Sequence, residues 1–78
     1  MTMPSLHAPW YVVMYIDPAG LVQWYREFEM GKNVYTSKKH EAQIMTDLRA
    51  ATRVAAAENG WVRVLTSKEE ATEFGKGE

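Results

Sequence analysis

The sequence contains no cysteine, which removes disulfides, thiol catalysis and thiolate metal sites together. It has no long apolar run either. The longest, Trp10 to Ile16, falls far short of the roughly 20 residues that a membrane-spanning helix needs. The opening residues Met1-Thr2-Met3-Pro4-Ser5-Leu6-His7 lack the basic start and apolar stretch of a signal peptide, so the expected compartment is the cytoplasm. An excess of one charge is also missing. Nine Lys+Arg stand against ten Asp+Glu, for a formal net charge of −1 and a pI near 6.1. A general nucleic-acid binder neutralises many phosphates, so this balance argues against that role while leaving room for a local basic patch.

The chemistry of a reactive site is equally sparse. The five glycines are scattered through turns and the tail, and none builds a phosphate loop. The two histidines are His7 and His40; His40-Glu41 has no histidine one helical turn on, so it is no zinc-protease motif. Ser37 and Ser67 are better explained as helix caps, and Ser5 has no triad context. No catalytic residue, cofactor site or metal site is therefore expected, and the chain reads as a non-enzyme.

What is present is a foldable composition. Of 78 residues, 46 % are hydrophobic and 24 % charged, close to a folded soluble domain and unlike a disordered tail. The length accommodates one small domain. Pro4 and Pro9 mark residues 1–9 as an irregular arm, and Gly75 to Glu78 as a frayed tail. Trp10 to Ile16 is rich in β-branched and aromatic residues and predicts a strand. Asp17-Pro18-Ala19-Gly20 carries the preferred residues of a type I turn, and Leu21 to Glu29 resumes as the second strand of an antiparallel hairpin. Met30-Gly31-Lys32-Asn33 predicts a loop, with Val34-Tyr35 extending or re-entering the sheet. Thr36 or Ser37 is then a candidate cap for a long helix over Lys38 to Glu58, ended by Asn59-Gly60. Trp61 to Leu65 is a third strand, and Ser67-Lys68-Glu69-Glu70 a capping box before a short helix anchored by Phe74. The expected fold is α+β: a ββαβ order with a three-stranded antiparallel sheet on one long helix and a short C-terminal helix.

On that long helix Ile44, Leu48, Ala51 and Ala55 share one side, with Met45 and Thr52 at its edge, and Lys38, Arg49 and Arg53 form an adjoining basic arc. In the hairpin, pairing Ile16 with Leu21 puts Tyr11, Val13, Tyr15, Val22, Trp24, Arg26 and Phe28 on one face. Trp10, Val12, Met14, Ile16, Leu21, Gln23, Tyr25, Glu27 and Glu29 fall on the other. A bulge at the turn exchanges these memberships. Both faces are apolar, and one long helix covers only one of them. The second is covered by the N-terminal arm and the last helix, or it is an interface. On the interface reading the candidate partner-binding residues are Trp10, Tyr11, Trp24, Tyr25 and Arg26, joined by the basic flank Lys38, Arg49 and Arg53.

A cysteine-free domain with a hairpin over Trp10–Glu29, one helix over Lys38–Glu58 and a strand over Trp61–Leu65 resembles the small accessory proteins of phages and mobile elements, including anti-CRISPR proteins. The resemblance implies a non-catalytic inhibitor or adaptor that binds a host protein complex and blocks its surface. The near-neutral charge departs from the acidic, DNA-mimicking members, so occlusion is the implied mechanism. Two alternatives stand beside it: a homodimer with a structural or regulatory role, and a small nucleic-acid-binding domain stacking bases on sheet aromatics.

Overall fold

The structure, a computed structural model, describes residues 9–75. Of the arm expected over 1–9 and the tail expected over 75–78, residues 1–8 and 76–78 lie outside the described residues. Four strands form one antiparallel sheet: β1 (Trp10–Ile16), β2 (Val22–Glu29), β3 (Lys32–Thr36) and β4 (Trp61–Leu65), in the spatial order β3-β2-β1-β4. Two helices complete the α+β domain, α1 (Leu48–Ala57) and α2 (Lys68–Thr72), with a single 3-10 turn at Lys39–Glu41.

The first turn fixes the register of everything after it. The Asp17 carbonyl accepts from Gly20 N–H at 2.8 Å, and Asp17 N–H donates to the Leu21 carbonyl at 2.9 Å. Gly20 sits at φ +88°, so a type I turn is followed by a left-handed residue that adds one position to the loop. The Asp17 carboxylate accepts from Ala19 N–H, Leu21 N–H and the Gln23 side-chain amide, which ties the loop to the strand that leaves it. Ile16 consequently faces Val22 and Met14 faces Trp24. The face memberships expected from Ile16–Leu21 pairing are therefore exchanged on β2: Trp24 joins Trp10, Val12 and Met14, and Tyr25 joins Tyr11, Val13 and Tyr15.

A second hairpin replaces the expected Met30–Asn33 loop and makes the sheet four-stranded. Met30 (φ 52°) and Gly31 (φ 81°) form a two-residue turn with both residues left-handed, a geometry whose twist matches that of paired strands. Lys32 to Thr36 then pairs with β2, with a bulge that leaves Arg26 without an opposite number.

The long helix is half its expected length. Residues from Lys38 onward make only the 3-10 turn, closed by Glu41 N–H to Lys38 C=O and Ala42 N–H to Lys39 C=O. Thr36 serves that turn, accepting from Lys38 N–H and donating to the Glu41 carboxylate. Residues 42–46 are extended because β1 and β2 pair only over Met14–Ile16 and Val22–Trp24. Beyond that, unpaired backbone groups must be satisfied. Gln43 N–H donates to the Tyr25 carbonyl, and Met45 and Tyr11 exchange both backbone bonds, each at 2.8 Å. Helix propensity loses to this tertiary demand. Asp47 is the actual cap of α1, its carboxylate accepting from Arg49 N–H.

The helix ends in a Schellman motif: Gly60 N–H bonds to Ala55 C=O and Asn59 N–H to Ala56 C=O. The left-handed residue is Asn59 (φ 55°) and not Gly60. Gly60 is needed for a different reason: a Cβ there would collide with the Met14 carbonyl oxygen.

Both faces of the sheet are covered. On one, α1 lays Ala51 and Ala55 against Val13 and Tyr25, with Tyr11, Tyr35, Met45, Val54 and Val62 around them. On the other, Trp10, Val12, Trp24 and Leu65 pack with Ala42, Ile44, Ala71 and Phe74. The α2 cap is the expected one, with Ser67 Oγ accepting from Glu70 N–H. Phe74 meets Trp24 edge to face, ring centres 4.9 Å apart. Gly75, expected in the frayed tail, is buried at φ +85° against Ile44.

Two predictions follow from the packing and the loops. A domain of this size has a total stability of about 4–12 kcal/mol. Trp24→Ala removes an indole from the α2-side core and is expected to destabilise by about 3–5 kcal/mol in urea unfolding. Gly60→Ala is expected to destabilise by on the order of 2 kcal/mol or more through its backbone clash, against about 1 kcal/mol for Gly31→Ala, where only the left-handed conformation is strained. Equal losses at the two glycines would contradict the close approach of Gly60 to β1.

A third prediction concerns acid. The Leu21 N–H holds the Asp17 carboxyl below its usual range, the Thr36 hydroxyl does so for Glu41, and the Thr66 N–H for Glu70. Native-state values below the unfolded ones mean a contribution that is complete above the ordinary carboxylate values of 3.8 and 4.5 and is lost as pH falls through the lowered native values. The midpoint of thermal unfolding is expected to drop between about pH 6 and about pH 2. Glu70→Gln, which removes one of these ionisations, should make the drop shallower; parallel curves would contradict the assignment.

Candidate protein-binding surface

The eight residues singled out from the sequence separate into two groups. Trp10, Trp24 and Tyr25 are core residues, exposed by only 3 %, 6 % and 6 %. The sheet faces that carry them are closed by α1 on one side and by α2 with residues 42–46 on the other, so none of the three is presented to a partner. Tyr11 is half-buried against the α1-side core and holds Met45 through its backbone. Arg26 sits at the bulge of β2 with its Nε buried and without a hydrogen-bond partner. These five residues therefore do not form an open aromatic face, and the sheet offers no exposed platform of Trp10, Trp24 and Tyr25 for stacking bases.

Lys38, Arg49 and Arg53 are all exposed. The single basic arc expected of them requires one continuous helix, and the extended segment 42–46 breaks it. Lys38 precedes the 3-10 turn, while Arg49 and Arg53 lie one turn apart on α1. Asp47, Leu48, Arg49, Thr52 and Arg53 line one shallow, open depression on the outside of that helix. Leu48, expected on the buried stripe, is 50 % exposed there. The helix buries Ala51 and Ala55 instead, small residues that let it approach the sheet closely.

Two surface cations are held by carboxylates, and the arginines of this depression are not. Lys39 pairs with Glu73 at 3.3 Å and Arg63 with Glu70 at 3.9 Å, and both cations lie about 5.5 Å from the centre of the Phe74 ring. These partly exposed pairs contribute little stability singly, about 0–1 kcal/mol each, but they fasten α2 to the turn and to β4. Among the described residues, Arg49 and Arg53 have no ion-pair partner. The Asp47 carboxylate beside them is taken up by the cap on Arg49 N–H.

Two exposed aromatics were missed as candidate surface residues in the sequence, Phe28 (65 % exposed) on β2 and Trp61. Trp61, on β4 opposite Met14, is 54 % exposed, and Ile16 and Leu21 are also exposed at that corner of the sheet. Alternation alone treats Trp61 like Trp10; what separates them is that α2 reaches the Leu65 end of β4 and not the Trp61 end.

Among the described residues no group of three His, Asp or Glu side chains could hold a metal ion. His40 is exposed, and the phenols of Tyr25 and Tyr35 are pushed above their usual range by burial, away from any role as acids near neutrality. Among the described residues no helix is long and apolar enough to cross a membrane. No family model matches the chain, and neither the curated proteins nor the solved structures yield a relative.

Proposed function

We propose that the chain is a non-catalytic protein-binding module, an inhibitor or adaptor that docks the outer face of α1 on an acidic surface of another protein and occludes it. One observation carries this reading: the placement of Arg49 and Arg53 is unfavourable for the helix that bears them. Like charges four residues apart weaken a helix by about 0.2–0.5 kcal/mol. Arg49 also stands in the first turn, where the helix dipole disfavours a cation. Neither has a compensating carboxylate among the described residues, and the half-exposed Leu48 adds an apolar contact in the same depression. Arginine beside exposed apolar surface is the composition of binding hot spots. The proposal sets the protein in the cytoplasm, and a surface-blocking inhibitor of the anti-CRISPR kind is one form that such a module takes.

The reading is tested by fluorescence anisotropy with two labelled probes, a Glu-rich peptide carrying a single leucine and a single-stranded oligonucleotide. The peptide is expected to bind with an affinity that falls as salt rises, and the double variant Arg49→Glu/Arg53→Glu is expected to abolish that binding while leaving the circular dichroism unchanged. Preference for the oligonucleotide, or a double variant that binds the peptide as well as the parent chain does, would contradict it.

A further inference from the structure

The open edge of the sheet is β4, and its backbone can be accounted for atom by atom. Tyr11 spends both its N–H and its C=O on Met45, so they point away from β4. Antiparallel alternation then makes Tyr11–Val64 and Val13–Val62 the pairs without mutual hydrogen bonds. The N–H and C=O groups of Val62 and Val64 therefore point outward, to the side of β4 where no described strand lies. The edge is bounded at both ends. Gly60 N–H is satisfied by Ala55 C=O at 2.8 Å, and Thr66 N–H by the Glu70 carboxylate at 3.0 Å. Two donors remain, on Val62 and Val64.

The other edge is guarded and this one is not. β3 begins with Lys32 and follows a bulged partner strand, two devices that discourage edge pairing. β4 has no lysine, no proline and no bulge, and its only charge, Arg63, is drawn inward over Phe74 and toward Glu70. Exposed apolar side chains flank it on both faces: Trp61 on the α2 side and Val64, 49 % exposed, on the α1 side.

We infer that the occupant of this edge is a second copy of the same chain, joined β4 to β4 about a two-fold axis so that two four-stranded sheets become one. The sequence of the strand is self-complementary in one register. Centred on Val62, the pairing sets Trp61 opposite the second copy's Arg63 twice over, so that each indole lies along an arginine's aliphatic stem while the guanidinium stays over Phe74. Val62 exchanges both backbone bonds with its own copy, and each Val64 N–H meets a Gly60 carbonyl. Centring on Arg63 would set two arginines face to face, which like-charge repulsion disfavours. The β4 edge shares no residue with the Arg49–Arg53 depression, so the inference stands independently of the function proposed above.

Amide hydrogen exchange of the full chain, followed by NMR over a concentration series, tests it. The amides of Val62 and Val64 are expected to be slow at high concentration and to speed up on dilution. Those of Arg63 and Leu65, bonded to β1, should remain slow throughout. Fast exchange at Val62 and Val64 at every concentration would overturn the inference, as would protection that does not change with concentration. Val64→Pro removes an outward N–H without touching the ladder to β1, and should weaken association by about tenfold or more. Should that variant fail to fold, the exposed Trp61 supplies the control. Trp61→Lys, facing the second copy's Arg63, is expected to weaken association at least about tenfold more than Trp61→Glu. Equal effects of the two charges would contradict the register, and a dimer indifferent to all three substitutions would place association elsewhere.

Discussion

The arrangement of this domain depends on the register that the Asp17–Leu21 loop imposes on its first hairpin. A glycine in the left-handed region adds one residue to the connection, and a shift of one residue in a strand turns every side chain to the opposite face. That single position sends Trp24 to the side of Trp10 and Val12, where Phe74 and Leu65 complete a core, and sends Tyr25 to the side of Val13, where α1 lies. The Asp17 carboxylate stabilises the loop with three hydrogen bonds, all to residues within six positions, so the register is set by local chemistry.

The second constraint is the short ladder between β1 and β2. Where it stops, the backbone of residues 42–46 supplies the missing partners, and in doing so drives Ala42 and Ile44 into one core and Met45 against the other. The helix that would otherwise run through this segment can begin only at the Asp47 cap. Its shortness also removes Lys38 from the helix and sets Leu48 in its exposed first turn, beside two arginines that have no ion-pair partner among the described residues. Coverage of both cores then leaves exposed apolar side chains at the Trp61 corner and the β4 edge, at Leu48, and at Phe28 and Met30 beside the second hairpin turn.

Local chemistry was legible in the sequence and tertiary substitution was not. Asp17-Pro18-Ala19-Gly20 announced the first turn, Ser67 and Glu70 announced the α2 cap, and Phe74 was identified as the anchor it proves to be. The Met30-Gly31 turn was visible only as a loop, since methionine gives no sign that it will adopt a positive φ. The segment over 38–46 is composed of good helix formers, and Thr36, Ser37 and Asp47 all offer cap chemistry. The alternation of buried Ala42 and Ile44 around exposed Gln43 was the competing signal, too short to outweigh propensity. The candidate surface suffered from the same cause. Trp10, Trp24 and Trp61 look alike in an alternating strand, and only the reach of α2 decides that the first two are buried and the third is not. Arg49 and Arg53 were legible because their spacing on a helix holds whichever residue begins it.

The central claim, that the elements packed on the sheet close it over Trp10 and Trp24 and leave Trp61 open, is tested most directly by the three indoles. Their side-chain N–H signals can be followed by NMR while a soluble paramagnetic chelate is added to a dilute sample. The account predicts that the Trp61 signal is attenuated and that those of Trp10 and Trp24 are spared. Attenuation of Trp10 or Trp24 to the level of Trp61 would mean that a sheet face is open, and would contradict the account.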